Sequence, residues 1–231
     1  MNYPELSRTP IREIIFSVSY DKIIDAQCFN KFINLDEIRA KFRDIKPSID
    51  QKFELNDHGK LLIQSQSNGF HLNNESEVIQ IRKGSFSYHF LNKYLKFSQL
   101  LSNFAFYWSN FDTVTDDTLQ ITEYSVRYIN YIKVDEHDQF SRLIQLYPKY
   151  SSDRQIEGFR NSVNFSYSDQ LDYGVAITTA KSKNGILLDI TVKGDSIDEH
   201  SDFESLFGPL RELKNRAFFD SITAKTLLKY L

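Results

Sequence analysis

Arg12-Glu13-Ile14-Ile15-Phe16-Ser17-Val18-Ser19-Tyr20 is the stretch that decides the fold class. From Ile14 onward apolar and small polar residues alternate. Ile14, Phe16, Val18 and Tyr20 therefore share one face and Ser17 and Ser19 the other, the period of a half-buried strand. The pattern returns in Tyr124-Ser125-Val126-Arg127-Tyr128, an offset of 108 from Phe16 to Tyr124. Phe97-Ser98-Gln99-Leu100-Leu101 matches Phe203-Glu204-Ser205-Leu206-Phe207 at an offset of 106, and Lys83-Gly84 matches Lys193-Gly194 at 110. Three short matches in one order at nearly one spacing indicate an internal duplication.

The elements between these anchors have the same sequence of types in each half. A helical stretch follows the first strand, with Phe29, Phe32, Ile33, Ile38, Phe42 and Ile45 at three- and four-residue spacings and Pro47 closing it. Strands are expected from Phe53 to Leu91, separated by turns at Asp57-His58-Gly59, Asn68-Gly69 and Asn73-Asn74-Glu75-Ser76 and broken at Gly84. A second helix begins at Phe97, and the polar run Asp112–Asp117 is the joint between halves. The second half then reads as a long strand from Ile121 to Val134 and a short helix from Phe140 to Leu146. Strands follow at Val163–Tyr167, Tyr173–Thr179 and Ile186–Val192, and an amphipathic helix at Phe203–Phe219 whose regular part starts at Pro209. The expectation is one α+β domain, 1–231, of two strand–helix–strands–helix halves, 11–111 and 119–231. Together they form a curved, mostly antiparallel sheet with helices on one face. A saddle of the TATA-binding-protein type, or two ferredoxin-like halves side by side, would satisfy that pattern.

Composition bounds the function classes. The 231 residues are 41% hydrophobic and 26% charged, with 19 Phe and 13 Tyr, enough to bury a large core without covalent staples. A formal net charge of −3 disfavours non-specific wrapping of nucleic acid. Cys28 stands alone, so neither an internal disulfide nor a cysteine zinc site is expected. The opening residues lack the basic and apolar regions of a signal peptide, and no apolar run approaches membrane-spanning length, so a cytoplasmic protein without a membrane partner is expected.

None of the standard catalytic or cofactor motifs is present. His58, His71, His89, His137 and His200 show no metal-ligand spacing and read as surface histidines. There is no glycine-rich phosphate loop and no Gly-x-Ser-x-Gly, so no cofactor is expected. Arg82-Lys83-Gly84-Ser85-Phe86-Ser87-Tyr88-His89-Phe90 interleaves basic and aromatic residues as base-stacking strands do. With Lys93 and Lys96 it defines a nucleic-acid alternative carried by Arg82, Lys83, Tyr88, Lys93 and Lys96. The regular spacing of Phe86, Tyr88 and Phe90 favours core packing over stacking. Asn130 and Asp189 interrupt apolar strands. A structural hydrogen bond is expected of Asn130, a solvent-facing position of Asp189, and a surface ion pair with Glu123 of Arg127.

Tyr3-Pro4-Glu5-Leu6-Ser7-Arg8-Thr9-Pro10-Ile11-Arg12-Glu13 resembles the opening YPxLSxxPIxEAIF pattern of a sporadically distributed bacterial and archaeal family of uncharacterised function. The resemblance continues at Arg127-Tyr128-Ile129-Asn130-Tyr131-Ile132 and at Leu210-Arg211-Glu212-Leu213-Lys214-Asn215-Arg216, then Ser221-Ile222-Thr223. It implies no established enzymatic activity. The family's scattered occurrence implies horizontal transfer and a mobile-element or phage-defence context. It singles out Pro10, Glu13, Arg127, Asn130, Arg211, Lys214, Asn215 and Thr223. The expected function is a non-catalytic binding protein for a protein or small ligand, with Arg127, Asn130, Arg211, Lys214 and Asn215 as binding residues. Nucleic-acid binding or processing is one alternative, and an enzyme with a dispersed polar site is the other.

Overall fold

The computed structural model describes residues 3–55, 61–91, 95–115, 118–134, 142–146, 158–195 and 202–231. Among these residues nine strands form one antiparallel, curved, open sheet, and five helices pack on one side of it. The strands are β1 (Ile11–Tyr20), β2 (Asp44–Leu55), β3 (Leu61–Asn73), β4 (Glu77–Arg82), β5 (Ser85–Leu91), β6 (Ile121–Lys133), β7 (Arg160–Tyr167), β8 (Gln170–Ser182) and β9 (Gly185–Gly194). The helices are α1 (Ala26–Ile33), α2 (Asp36–Lys41), α3 (Phe97–Thr113), α4 (Phe203–Ser221) and α5 (Ala224–Leu227). Across the sheet the order is β2-β3-β4-β5-β1-β6-β9-β8-β7, so the segments quoted first, β1 and β6, lie side by side at its middle.

Alternation along the strands sets the two faces. Ile14, Phe16, Val18 and Tyr20 of β1 and Tyr124, Val126, Tyr128 and Ile132 of β6 are buried beneath the helices, as are Phe86, Tyr88 and Phe90 of β5. Phe16 is fully buried, with ring centroids of Phe97, Phe104 and Phe207 at 5.5, 5.7 and 5.4 Å. One side chain of β1 thereby ties α3 to α4, since Phe97 and Phe104 belong to α3 and Phe207 to α4. Ser17, Ser19, Ser85 and Ser87 point to the opposite, helix-free face, where β1 pairs Ser17 with Ser87 on one side and Ser125 on the other.

Several expected elements fall elsewhere. The single helix from Phe29 to Ile45 is two helices, and Ile45 and Pro47 belong to β2. Proline is tolerated there because β2 is an edge strand with one hydrogen-bonding side open. Asn68-Gly69 is no turn but the interior of β3: Gly69 has φ +152° beside a register shift between Ser48 and Ile49 of β2. Asn74 does make a turn, its side-chain oxygen accepting from Ser76 N (2.9 Å) and Glu77 N (2.7 Å). α4 begins at Phe203 and runs through Pro209. Asp202 caps it by accepting from Ser205 N at 2.8 Å. Of the short helix expected at Phe140–Leu146, residues 142–146 instead form turns, with Ile144 bridging to Ile222, and 140–141 lie outside the described residues. Of the joint expected at Asp112–Asp117, Asp112 and Thr113 end α3 and Val114 caps it, and 116–117 lie outside the described residues. So do His58, His137 and His200 and the turn at 57–59. Among the described residues no helix is long and apolar enough to cross a membrane.

Candidate functional site

α4 packs against β6, β9 and β8, and its register decides which side chains meet the sheet. Leu206, Phe207, Leu210, Leu213, Ala217 and Phe218 form the buried stripe. Lys214 stands on that stripe, four residues from both Leu210 and Phe218. A lysine there has to reach water or a partner. It reaches a cavity of about 560 Å³ bounded by the amino-terminal segment from Tyr3 to Ile11, by Tyr128 and Asn130 of β6, by Phe97, and by Arg211, Lys214 and Asn215 of α4.

The amino-terminal segment is held over this cavity from both ends. Tyr131 N donates to Pro10 O at 2.8 Å, and Ser7 Oγ and Arg8 N donate to Tyr230 O at 3.1 and 3.3 Å. Tyr3 stacks on Phe219 with centroids 4.7 Å apart and planes 5° from parallel. Inside, the Lys214 ammonium lies 3.9 Å from the centre of the Tyr128 ring and donates to Asn215 Oδ1 at 2.6 Å. The Arg211 guanidinium lies 5.2 Å from the Phe97 ring centre. Asn130 is buried and its amide donates to the carbonyls of Leu188 (3.0 Å) and Tyr128 (3.3 Å). Neither cation hydrogen-bonds to a carboxylate among the described residues, although Glu5 lines the cavity at an exposed position. Burial, reinforced by Arg211 and only partly opposed by Glu212, pulls the Lys214 amine down to about 7.

Of the five expected binding residues, Asn130, Arg211, Lys214 and Asn215 line this cavity, and Arg127 is not among them. Arg127 projects from the opposite face of β6, since odd and even positions of a strand part company. Nor does it pair with Glu123. Its Nε and Nη2 donate to both carboxylate oxygens of Asp189, at 2.8 and 2.6 Å, and Glu123 pairs with Lys193 at 2.8 Å. Thr223 has a structural task, capping α5 and donating to Arg142 O at 2.6 Å.

The nucleic-acid set is dispersed. Tyr88 is fully buried and donates to Glu77 Oε1 at 2.6 Å, so it presents no ring for stacking. Arg82 lies on the helix-free face beside Gln80, Lys83 forms part of the β4–β5 turn, Lys96 is exposed ahead of α3, and Lys93 lies outside the described residues. His89 is no free surface histidine either, since its Nδ1 lies 2.7 Å from Glu13 Oε1. The aromatic walls of the cavity (Tyr3, Phe97, Tyr128, Phe218 and Phe219) were not identified in advance, because their convergence depends on strands and helices distant in sequence. The one local signal was Lys214 itself, a charge on an apolar stripe.

No protein-family model and no curated protein matches the chain. Among solved structures, a Bacillus halodurans chain described as a "putative adenylate cyclase" aligns over 90% of this chain and 93% of its own, at 9% identity and a TM-score of 0.18. So low a score establishes neither a shared fold nor a shared activity.

Proposed function

We propose that this is a binding protein whose cavity takes a small anionic ligand with an apolar body. The observation that carries the reading is the pair of cations, Lys214 and Arg211, set among aromatic rings without a carboxylate partner among the described residues. A ligand carboxylate or phosphate would supply the missing charge, Asn215 would supply an amide group, Asn130, whose amide is held by Leu188 and Tyr128, would shape the wall, and the rings would cover the apolar part. A volume of about 560 Å³ suits a metabolite-sized molecule.

A duplication of the chain, which we infer from the offsets and the β1–β6 register, would agree with the same reading. The 108-residue offset maps Phe16 onto Tyr124 and Val18 onto Val126, and β1 pairs Phe16 with Val126 and Val18 with Tyr124. That crossing is what a two-fold axis through the Ser17–Ser125 pair requires. Ser87 and Lys193, the partners of those serines in β5 and β9, are then equivalent at an offset of 106. The helix match has the same offset, whereas Lys83-Gly84 and Lys193-Gly194 fall out of register. On this scheme Tyr20 corresponds to Tyr128 and Trp108 to Lys214. Tyr20 and Trp108 pack with centroids 5.9 Å apart, and Lys214 lies over Tyr128. A tryptophan fills the first half where a lysine opens a cavity in the second. The resemblance at Tyr3–Glu13 would place such a binder in a mobile-element or phage-defence context.

The test is a thermal-shift and calorimetric screen with inorganic phosphate, acetate, benzoate and short dicarboxylates, run on the wild type, Lys214→Met and Arg211→Ala. Saturable binding of at least one anion that weakens at least tenfold in either variant is expected. Equal binding by all three proteins, or none at millimolar concentration, would sink the reading.

A further inference from the structure

On the helix-free face a second constellation forms where β5 meets β1. Ser85, Ser87 and His89 alternate with the buried Phe86, Tyr88 and Phe90, so all three project away from the helices. Ser87 Oγ lies 3.0 Å from His89 Nε2, and His89 Nδ1 lies 2.7 Å from Glu13 Oε1. A carboxylate offers only acceptors, so His89 Nδ1 carries the proton facing Glu13. In the neutral ring Nε2 is then an acceptor, and Ser87 donates its hydroxyl hydrogen to it. Serine, imidazole and carboxylate are joined in the order, through the ring nitrogens and at the distances that activate a serine nucleophile.

The surroundings leave room for an acyl group. Ser87 lines a basin of about 280 Å³ together with Ser17, Ser125, Gln80 and Arg82. Ser17 and Gln80 flank Ser87 in register on the neighbouring strands. Gln80 turns its oxygen toward Arg82 Nε (3.1 Å) and Nη2 (2.8 Å) and His71 Nε2 (2.8 Å), because the reverse orientation would set donor against donor. Its two N–H donors, with the Ser17 hydroxyl, are therefore the groups at hand for a developing oxyanion.

We propose that Ser87, His89 and Glu13 form an acyl-transfer site for small polar esters. Ser87 Oγ attacks the ester carbonyl while its proton passes to His89 Nε2. The tetrahedral intermediate collapses, the C–O bond to the alcohol breaks, and the alcohol leaves with that proton. Water, deprotonated by His89, then attacks the acyl carbonyl; the bond to Ser87 Oγ breaks, His89 returns that proton to Ser87 Oγ, and the acid is released. Glu13 is a positioning residue that holds the ring tautomer. This site lies on the opposite face from the Lys214 cavity and does not depend on it.

The experiment treats the intact protein with a fluorophosphonate probe, maps the adduct by peptide mass spectrometry and measures p-nitrophenyl acetate hydrolysis. Expected are an adduct on Ser87 and turnover that Ser87→Ala abolishes and His89→Ala lowers about a hundredfold. Glu13→Gln should lower it at least tenfold and Glu13→Asp restore part of it, a pattern that a merely structural Glu13 would not produce. Ser87→Cys, labelled by iodoacetamide only when His89 is present, serves if the alanine variant fails to fold. An adduct elsewhere, or wild-type turnover no faster than that of Ser87→Ala, overturns the proposal.

Discussion

Replacing Lys214 by methionine should stabilise the protein at neutral pH while removing its anion site. The amine titrates at about 7 in the folded chain against 10.5 ordinarily. At about 1.4 kcal/mol per pH unit this sets a ceiling of about 5 kcal/mol on the penalty for folding around the ammonium, and about 4 kcal/mol at pH 7. Methionine keeps the length of the side chain and its contact with Tyr128, and it loses the bond to Asn215 and the cation–ring attraction, together about 1–2 kcal/mol. The net expectation is a gain of about 1–3 kcal/mol at pH 7. The sign with pH follows from proton counts. Below pH 7 both folded and unfolded states hold the proton, so the gap between variant and wild type is largest and flat. Between 7 and 10.5 the unfolded wild type binds one more proton than the folded, so wild-type stability rises with pH and the gap closes. Urea unfolding of both proteins from pH 6 to 9.5 measures this, and groups common to both cancel in the difference. A variant less stable than wild type by more than about 1 kcal/mol at pH 7, or a gap indifferent to pH, would refute the argument.

Other consequences are separately measurable. Because the anion calls for the protonated amine, binding should take up a proton, and affinity should fall about tenfold per pH unit between 8 and 10, measured by titration calorimetry in buffers of different ionisation enthalpy. Gly69→Ala would place a Cβ 1.8 Å from Ile81 O at φ +152°, and is expected to lower unfolding free energy by about 3 kcal/mol in urea melts. Glu77 is buried, accepts from Tyr88 and pairs with Lys41 at 2.7 Å, and these partners hold its carboxyl below the usual range despite burial. Glu77→Gln should therefore cost about 1–3 kcal/mol at pH 7, discounted because Lys41 is partly exposed. That difference should vanish as pH falls through the depressed carboxyl value, which acid titration of both proteins would show.

The open sheet with helices on one side was legible because burial writes itself into alternation. Ile14 to Tyr20, Phe86 to Phe90 and Tyr124 to Ile132 each announce a covered face. Boundaries were less legible where an edge strand tolerates what an interior one would not. Pro47 signalled the end of a helix and in fact sits in β2, and Gly69 signalled a turn while occupying a bulged strand. The cavity was half legible. Asn130, Arg211, Lys214 and Asn215 stood out as polar residues in apolar blocks, but Arg127 stood out equally and belongs to the other face. Ser87 and His89 looked like spacers between aromatics, and only the pairing of β5 with β1 brings Glu13 to them.

By itself the sequence determined which side chains must be covered, because hydrophobic burial is local in period and needs no knowledge of the partner. It thereby determined strands, helices and a sheet with one clad face. Tertiary structure alone decided which polar residues meet. That depends on strand order, register and the rotation of α4, quantities set by packing between segments distant in sequence. Lys214 under the amino-terminal segment and Glu13 beside His89 are both products of that packing.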